Sequence, residues 1–390
     1  MPTPHAVLTQ FRAIRPRHEV TQERTLDWLA AAHAEAQSRL EGSGPEARQA
    51  LEGRVRKALR RFGCPPEKIA ARGFALPDFL STDWDANAFY DFSRRPRGPG
   101  SEERSRRFAE FAAAYFDAAY ADEAVAPRDL IHVTCTGYVA PSAAQRLVAA
   151  RGWGGQTRVT HAYHMGCYAA LPAVRIAAGC FATASPSAPA GAGRVDIAHT
   201  EFCGLHVRSP APTAEQLVVQ SLFADGTIRY SMRLTDEGPG LRLLATHERV
   251  LPDSAGAMSW LVGDAGMQMT LSADVPARVG GALRGFVAEL CALAGRDVGA
   301  LRGAVAAVHP GGPKIIDVVC EQMGLEEEML AETAAVLRDH GNCSSATVLL
   351  VLDRIRRERD LSPGDPVLFM AFGPGLTLYA ARLRARRPTP

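Results

Sequence analysis

The stretch THAYHMGCYAALPAVRIAAG, residues 160–179, sets a cysteine, Cys167, where two histidines and a glycine give way to an apolar run of helical composition. Three readings of that thiol are open. As core filler it fits, because cysteine is among the most buried residue types and the run that follows is apolar nearly all round. As a metal ligand it falls in H-x2-H-x2-C with His161 and His164, but zinc takes four ligands, or three plus water, at recurring spacings, and no second cluster is visible. In an extended 161–165 the two histidines would also face opposite sides. As a nucleophile it sits where unpaired backbone N–H groups and the positive end of a helix dipole lower a thiol's pKa and can hold an oxyanion.

The surrounding chain repeats this arrangement. DLIHVTC (129–135) reads as a buried strand leading into the turn and helix of TGYVAPSAAQRL, and 32 residues after Cys135 the Cys167 helix opens. GAVAAVHPGG (303–312) is an apolar strand closing at His309, and 33 residues later GNCSSATVLLVLD (341–353) opens a helix at Asn342. Matching separations point to a duplicated α/β unit. In such a duplication Cys167 and Asn342 occupy equivalent helix starts related by a pseudo-twofold, and their side chains converge. A nucleophile needs a base and a polar stabiliser, which His309 and Asn342 offer. Taken alone, a histidine at a strand end is more often structural, and an asparagine after glycine is more often a helix cap.

Composition sets the limits. With 390 residues, 47% hydrophobic, 22% charged and a formal charge of +2, the chain reads as a globular protein of ordinary charge, with no call for nucleic acid. MPTPHAVLTQFRAIRPRHEV lacks a secretory pattern and no apolar run approaches the ~18–20 residues of a membrane span, so a cytoplasmic location is expected. Eight cysteines without CxxC pairs are expected to be reduced. Residues 21–62 carry helical patterning that ends in RVRKALRRFG, and 104–122 is a further helix. The basic run is either a solvated helix face or a docking site for phosphates of a coenzyme or a carrier protein. ATASPSAPAGAGR (182–194) reads as an exposed loop. QLVVQSLFADGTIRYSMRL reads as a helix or strand, an Asp-Gly turn at 225–226, and a strand. TDEGPG (235–240) is the candidate boundary between halves 1–238 and 239–390.

MGCYAALPAVRIAAG, AVHPGGPKIIDVV, GNCSSATVLLVLD and FGPGLTLYAARL, in that order and at those separations, resemble the type III polyketide synthases, the chalcone synthase-like branch of the thiolase superfamily. The resemblance implies a homodimer of α/β thiolase-fold subunits, duplicated αβαβα layers around a buried Cys-His-Asn site, with coenzyme A thioesters as substrates and no permanently bound cofactor or metal. It implies that Cys167 carries the growing acyl chain, that His309 keeps it as thiolate, and that His309 and Asn342 hold the thioester carbonyl of malonyl-CoA during decarboxylation. The acyl-carrier-protein synthases III carry a His-Gln-Ala-Asn type motif where this chain has HPGGPK, and a thiolase proper needs a second cysteine that FGPGL lacks.

By the same resemblance Phe223 is a gate between coenzyme tunnel and cavity, with Met269 in place of its usual phenylalanine partner. Gly373, Pro374 and Gly375 shape the cavity, preceded by AF with Ala371 where the plant enzymes have glycine. Trp260 falls where the plant enzymes have glycine, His206 and Cys203 fall where they often have threonines, and Ser344 lies beside Asn342 in the cavity. HTEFCGLH followed by EQLVVQSLFADG is closer to the bacterial alkylpyrone and alkylresorcinol synthases, which implies an aliphatic starter and closure to an α-pyrone or resorcinol. Lys57, Arg60, Arg61 and Lys68 are the candidates for coenzyme A phosphates. Their charge also suits an acidic acyl carrier protein, so a ketosynthase joining carrier-bound chains into a pyrone is one alternative, and an enzyme like the ketoacyl-carrier-protein synthases III is the other.

Overall fold

The computed structural model describes residues 5–182, 193–210, 213–235 and 238–386. The chain opens with β1 (His5–Ile14) and β2 (His18–Thr21), then α1 (Gln22–Glu41), α2 (Pro45–Phe62), β3 (Ala71–Phe74) and α3 (Ser101–Ala119). α1 starts where the Thr21 hydroxyl accepts from the Arg24 N–H and ends at Gly42, whose φ of 65° turns the chain out of the helix. The unit anticipated from the sequence follows: β4 (Asp129–Thr134), α4 (Ala143–Ala150), β5 (Arg158–Tyr163), a short 3-10 turn at Gly166–Tyr168, and α5 (Ala170–Ala182). A Ser142/Gln145 capping box fixes the start of α4. Next come β6 (Val195–Phe202), α6 (Ala214–Leu222), β7 (Asp225–Thr235), β8 (Gly240–Val250) and the hairpin β9 (Met258–Gly263) and β10 (Gly266–Leu271). The remainder is α7 (Val275–Leu293), β11 (Val305–Val308), α8 (Pro313–Met323), α9 (Ala331–His340), α10 (Thr347–Glu358), β12 (Pro366–Gly373) and β13 (Thr377–Arg386).

Nine strands form one sheet in the order β11-β12-β13-β8-β1-β7-β6-β4-β5. Its two ends mirror each other. β4 runs parallel to β6, which is antiparallel to β7, and β7 is antiparallel to β1. Likewise β11 runs parallel to β12, which is antiparallel to β13, and β13 is antiparallel to β8. The halves meet at β1 and β8, with Leu8 opposite Leu241. At one corner of this seam His5 lies opposite Thr235 and Gly240 opposite Arg386.

Packing gives five layers. Leu29 of α1, Phe108 and Phe116 of α3 and Leu147 of α4 cover one side of the first half. Leu171 and Val174 of α5 and Val348 and Leu352 of α10 fill the space between the halves. Val279, Leu283 and Phe286 of α7 and Val319 of α8 cover the far side of the second. β12 shows why its sequence is apolar throughout: Val367, Phe369 and Ala371 face α5 and α10, while Leu368, Met370 and Phe372 face α7 and α8. Each such fully buried side chain contributes about 1.5–3 kcal/mol.

Three local expectations change or fall away. Asp225-Gly226 is no turn but the first pair of β7. The glycine is needed because a Cβ there would stand 2.5 Å from Cys343 Cβ. Asp225 is needed because its carboxylate accepts the N–H groups of Ala75 and Gly204, at 2.7 Å each. β5 is the half-exposed edge of the sheet. Of the 182–194 loop, residues 183–192 lie outside the described residues, as do 236–237 of TDEGPG.

Candidate active site

The two inner helices each begin with a 3-10 turn, Gly166–Tyr168 before α5 and Ser344–Ala346 before α10. Each turn is entered through a glycine in the left-handed region, Gly166 at φ 76° and Gly341 at φ 71°. Neither position has room for a side chain. A Cβ on Gly166 would lie 2.5 Å from Pro374 Cδ, and one on Gly341 would lie 3.0 Å from Arg72 Cγ and from Leu222 O. The residues that follow these glycines are Cys167 and Asn342.

Asn342 is held from both sides. Its backbone N–H donates to Leu222 O at 2.9 Å, its carbonyl accepts the Ala224 N–H at 2.9 Å, and its Oδ1 accepts the Ser344 N–H at 2.9 Å. That leaves the Nδ2 donor, which reaches Gly311 O at 3.3 Å. His309 leaves the end of β11 with its N–H donating to Met370 O at 2.8 Å. Both its ring nitrogens are buried without a partner among the described residues. Cys167 Sγ stands 3.9 Å from the Ser344 hydroxyl.

Cys167, His309 and Asn342 line one cavity of about 730 Å³. Phe223 and Met269 stand along it, and Arg61, Lys68 and Lys314 belong to its exposed rim. Lys57, one turn back on α2, and Arg60, the residue before Arg61, are outside the lining. Inward of Cys167 the space is small. A chamber of about 10 Å³ lies between Cys167, Ser344, Pro374, Cys203 and Trp260. A second of about 30 Å³ lies beyond, among Cys203, His206, Phe74 and Leu29. At roughly 10–15 Å³ per water, the first holds about one water and the second about two. The partition between them is Phe223, Trp260 and Met269. Trp260 and Met269 are cross-strand partners in the β9–β10 hairpin. The Trp260 indole N–H donates to Cys135 O at 2.6 Å, its ring stacks on Phe223 at 6.4 Å, and its carbonyl accepts from His164 Nε2 at 2.7 Å. His206 Nε2 donates to Thr136 O at 2.8 Å. Of the FGPG loop only Pro374 meets the Cys167 chamber; Gly373 backs onto Tyr168, where a Cβ would stand 2.3 Å from the ring, and the Gly375 carbonyl accepts from Ser254 Oγ.

The site is dry. Burial pushes the Cys167 thiol up to about 12, against the Ser344 hydroxyl, and brings His309 down to about 3. The lowering expected from the helix start is therefore outweighed, since a dipole returns only about 0.3–1 kcal/mol and an unpaired thiolate loses its water. In the free protein the pair is a neutral thiol and a neutral imidazole with two open nitrogens. The open imidazole nitrogens and the Asn342 Nδ2 are polar groups on the same cavity as the thiol.

Sequence reading missed Glu201, buried on β6 behind the thiol. Its carboxyl accepts the Cys135 N–H and the Thr136 hydroxyl, at 3.0 Å each, and the Ser345 hydroxyl, so it ties the end of β4 to the turn carrying Asn342. Burial raises it to about 7. The available signal was an acid inside VDIAHTEF, a strand buried at every residue. Lys314 was visible in HPGGPK but was not placed at the rim. His161 and His164 go separate ways, His161 to Ser142 Oγ at 2.9 Å and His164 to Trp260, and no group of three or more metal-ligating side chains occurs among the described residues. No described helix is long and apolar enough to cross a membrane.

Comparison with known proteins gives a consistent picture. Residues 242–386 match the family "Chalcone and stilbene synthases, C-terminal domain". A relative from Dictyostelium discoideum, "Probable polyketide synthase 1", is 29% identical over 267 residues, which are 65% of this chain; the match spans only 8% of that much longer protein. PKS-I from the brown alga Ectocarpus siliculosus superposes with a TM-score of 0.82 at 20% identity, covering 99% of this chain and 100% of that one. The C-terminal type III polyketide synthase domain of a type I/III hybrid from Dictyostelium gives 0.80 at 20% identity, covering 98% and 99%. The 1,3,6,8-tetrahydroxynaphthalene synthase of Streptomyces coelicolor A3(2) gives 0.76 at 24% identity, covering 98% and 100%. The fold is that of the type III polyketide synthases, the thiolase fold.

Proposed function

We infer that this chain, whose residues 242–386 match the chalcone and stilbene synthase C-terminal domain, is a type III polyketide synthase that joins acyl units by forming carbon–carbon bonds. The observation that carries the reading is the shared cavity: a buried thiol, an imidazole with both nitrogens open and a tethered amide line one passage whose rim is cationic. In this mechanism His309 takes the Cys167 proton as sulfur attacks the starter thioester, and returns it to the departing coenzyme A thiol. Malonyl-CoA then enters with its thioester carbonyl against Asn342 Nδ2 and a His309 N–H. Loss of CO2 leaves an enolate whose oxygen those donors stabilise without a charged base to quench the carbanion. The enolate attacks the Cys167 thioester, sulfur leaves as thiolate, and the chain, longer by two carbons, remains on coenzyme A. The thiol, imidazole and amide supply the whole reaction, so no resident cofactor is assigned.

The starter is aliphatic in this reading. The deeper chamber is lined by Leu29, Phe74, Val219 and Met267, and it is divided from the chamber at Cys167 by side chains that include a methionine, which repacks readily. A narrow alkyl chain can enter by displacing Met269, whereas a coumaroyl ring meets Trp260. Closure to an α-pyrone or resorcinol follows. Delivery by an acyl carrier protein is the second reading, favoured by the exposed cations of the rim. Cytoplasmic thioester pools are the expected source of substrate, and a homodimer is the expected assembly, because β5 presents an unpaired sheet edge that a second copy would cover.

The test is mass spectrometry of products from purified protein given malonyl-CoA with octanoyl- to palmitoyl-CoA or with coumaroyl-CoA, alongside Cys167→Ala. Alkylpyrone or alkylresorcinol masses that vanish in the variant are expected. Preference for coumaroyl-CoA overturns the aliphatic starter, and an acyl adduct on Cys167 without product favours carrier-bound substrates.

A further inference from the structure

Arg72, on β3, is a cation in an unusual place. It is 1% exposed and its Nε and Nη2 have no partner among the described residues. Burying a guanidinium is costly unless its hydrogen bonds are made. The bonds it does make go to one short segment: Nη1 donates to Gln220 O at 2.7 Å and to Phe223 O at 2.8 Å. That segment is the one that holds Asn342. Leu222 O accepts the Asn342 N–H, the Ala224 N–H donates back to Asn342 O, and Phe223 pairs with Asn342 in an isolated parallel bridge. The Arg72 stem also lies against Gly341, where an added Cβ would be 3.0 Å from its Cγ, and its head lies over Phe74 at 5.5 Å.

We propose that Arg72 is a positioning residue for the condensation: by clamping the carbonyls of Gln220 and Phe223 it sets the gate side chain and the Asn342 amide together, so that the donor meets the thioester carbonyl when the passage is occupied. This rests on the polyketide synthase reading. One guanidinium nitrogen thus couples the gate between α6 and β7 to a catalytic amide on the other half of the fold. Arg72 has no bond to Cys167 or His309, so the reactivity of the thiol itself is independent of it.

The test separates the two partial reactions. Arg72→Met keeps the length of the stem and removes both donors. Malonyl-CoA decarboxylation is expected to fall in kcat by about 10²-fold, the loss that a misplacement of about 1 Å produces, with KM for malonyl-CoA unchanged. Iodoacetamide alkylation of Cys167 should keep its wild-type rate, and Arg72→Lys, which retains a donor able to span both carbonyls, should recover most of kcat. Arg72→Gln, with a donor for one carbonyl, stands in if the methionine variant does not fold, and an intermediate loss is expected. A folded Arg72→Met that decarboxylates like wild type overturns the proposal, as does a variant in which kcat, KM and alkylation all decline with melting temperature. If the wild-type protein itself releases no CO2 from malonyl-CoA, the function falls and takes this role with it; an active wild type with an indifferent Arg72 overturns the role alone.

Discussion

Replacing Gly226 with alanine is the smallest change that should misplace Asn342 without touching it. Gly226 lies on β7 directly under Cys343, and its φ is ordinary for a strand, so the only obstacle to a side chain is space. A Cβ there would stand 2.5 Å from Cys343 Cβ and 2.9 Å from Sγ, short of ordinary contact by about 0.9 Å and 0.5 Å. Cys343 cannot rotate away, because its Cβ is itself the clashing atom, so the turn beginning at Asn342 has to lift. Overpacking of this kind costs about 1–3 kcal/mol of stability. A lift approaching 1 Å at the amide costs on the order of 10²-fold in rate. Decarboxylation of malonyl-CoA would read the rate, with thermal denaturation beside it. Cys343→Gly in the same chain removes the clashing atoms, so the double variant should regain most of the lost activity, a coupling that a double-mutant cycle isolates. Wild-type rate and melting temperature in Gly226→Ala, or no recovery in the double variant, would refute the steric argument.

Other outcomes follow from the same geometry. Glu201 binds its proton more tightly folded, at about 7, than unfolded, at about 4.3. Its contribution therefore favours the fold at low pH and is lost as pH rises from about 4.3 to about 7, by roughly 4 kcal/mol. Asp225, raised to about 7 by burial, acts in the same direction. Glu201→Gln should flatten part of that decline and melt higher than wild type at pH 8 while matching it at pH 5; an unchanged slope would count against a strained carboxyl. Trp260→Ala joins the chambers of about 10 and 30 Å³, so product masses should move to longer chains, and an unchanged product profile would show that the indole does not set length. Charge reversal at Arg61, Lys68 or Lys314 should raise KM for coenzyme A thioesters by roughly tenfold, about 1.4 kcal/mol, with kcat intact and the effect shrinking in high salt. A KM indifferent to all three changes would remove the rim from substrate binding.

The duplicated frame was legible because it is written locally. Gly-Cys and Gly-Asn mark the two helix starts, the strands before them are apolar, and the spacing recurs. What escaped depends on neighbours distant in sequence. Asp-Gly at 225–226 carries a strong turn signature, yet Cys343 above the glycine and the Ala75 and Gly204 N–H groups around the carboxylate make it a strand. The Cys167 thiol was read by its place on a helix, which is local, whereas its ionisation follows from burial, which is not. Glu201 and Arg72 look like ordinary surface charges in one dimension, and only the fold turns one inward behind the thiol and the other beneath the gate. The rim was half legible: Arg61 and Lys68 stand there, while Lys314 arrives from the other half.

The corner where β1, β7, β8 and β13 end gives the halves an unexpected freedom. His5 faces Thr235, Arg386 faces Gly240, and the Arg386 guanidinium donates to Thr235 O at 2.8 Å. The outermost described ends of the chain and the link between its halves are thus gathered at one place. A circular permutant, joined across those ends and opened within 235–240, would keep every strand pairing while reversing the order in which the halves are made. The thiol half would then be synthesised after the histidine and asparagine half. Because the inner helices pack only when both halves are present, the site belongs to the seam and is indifferent to which half comes first.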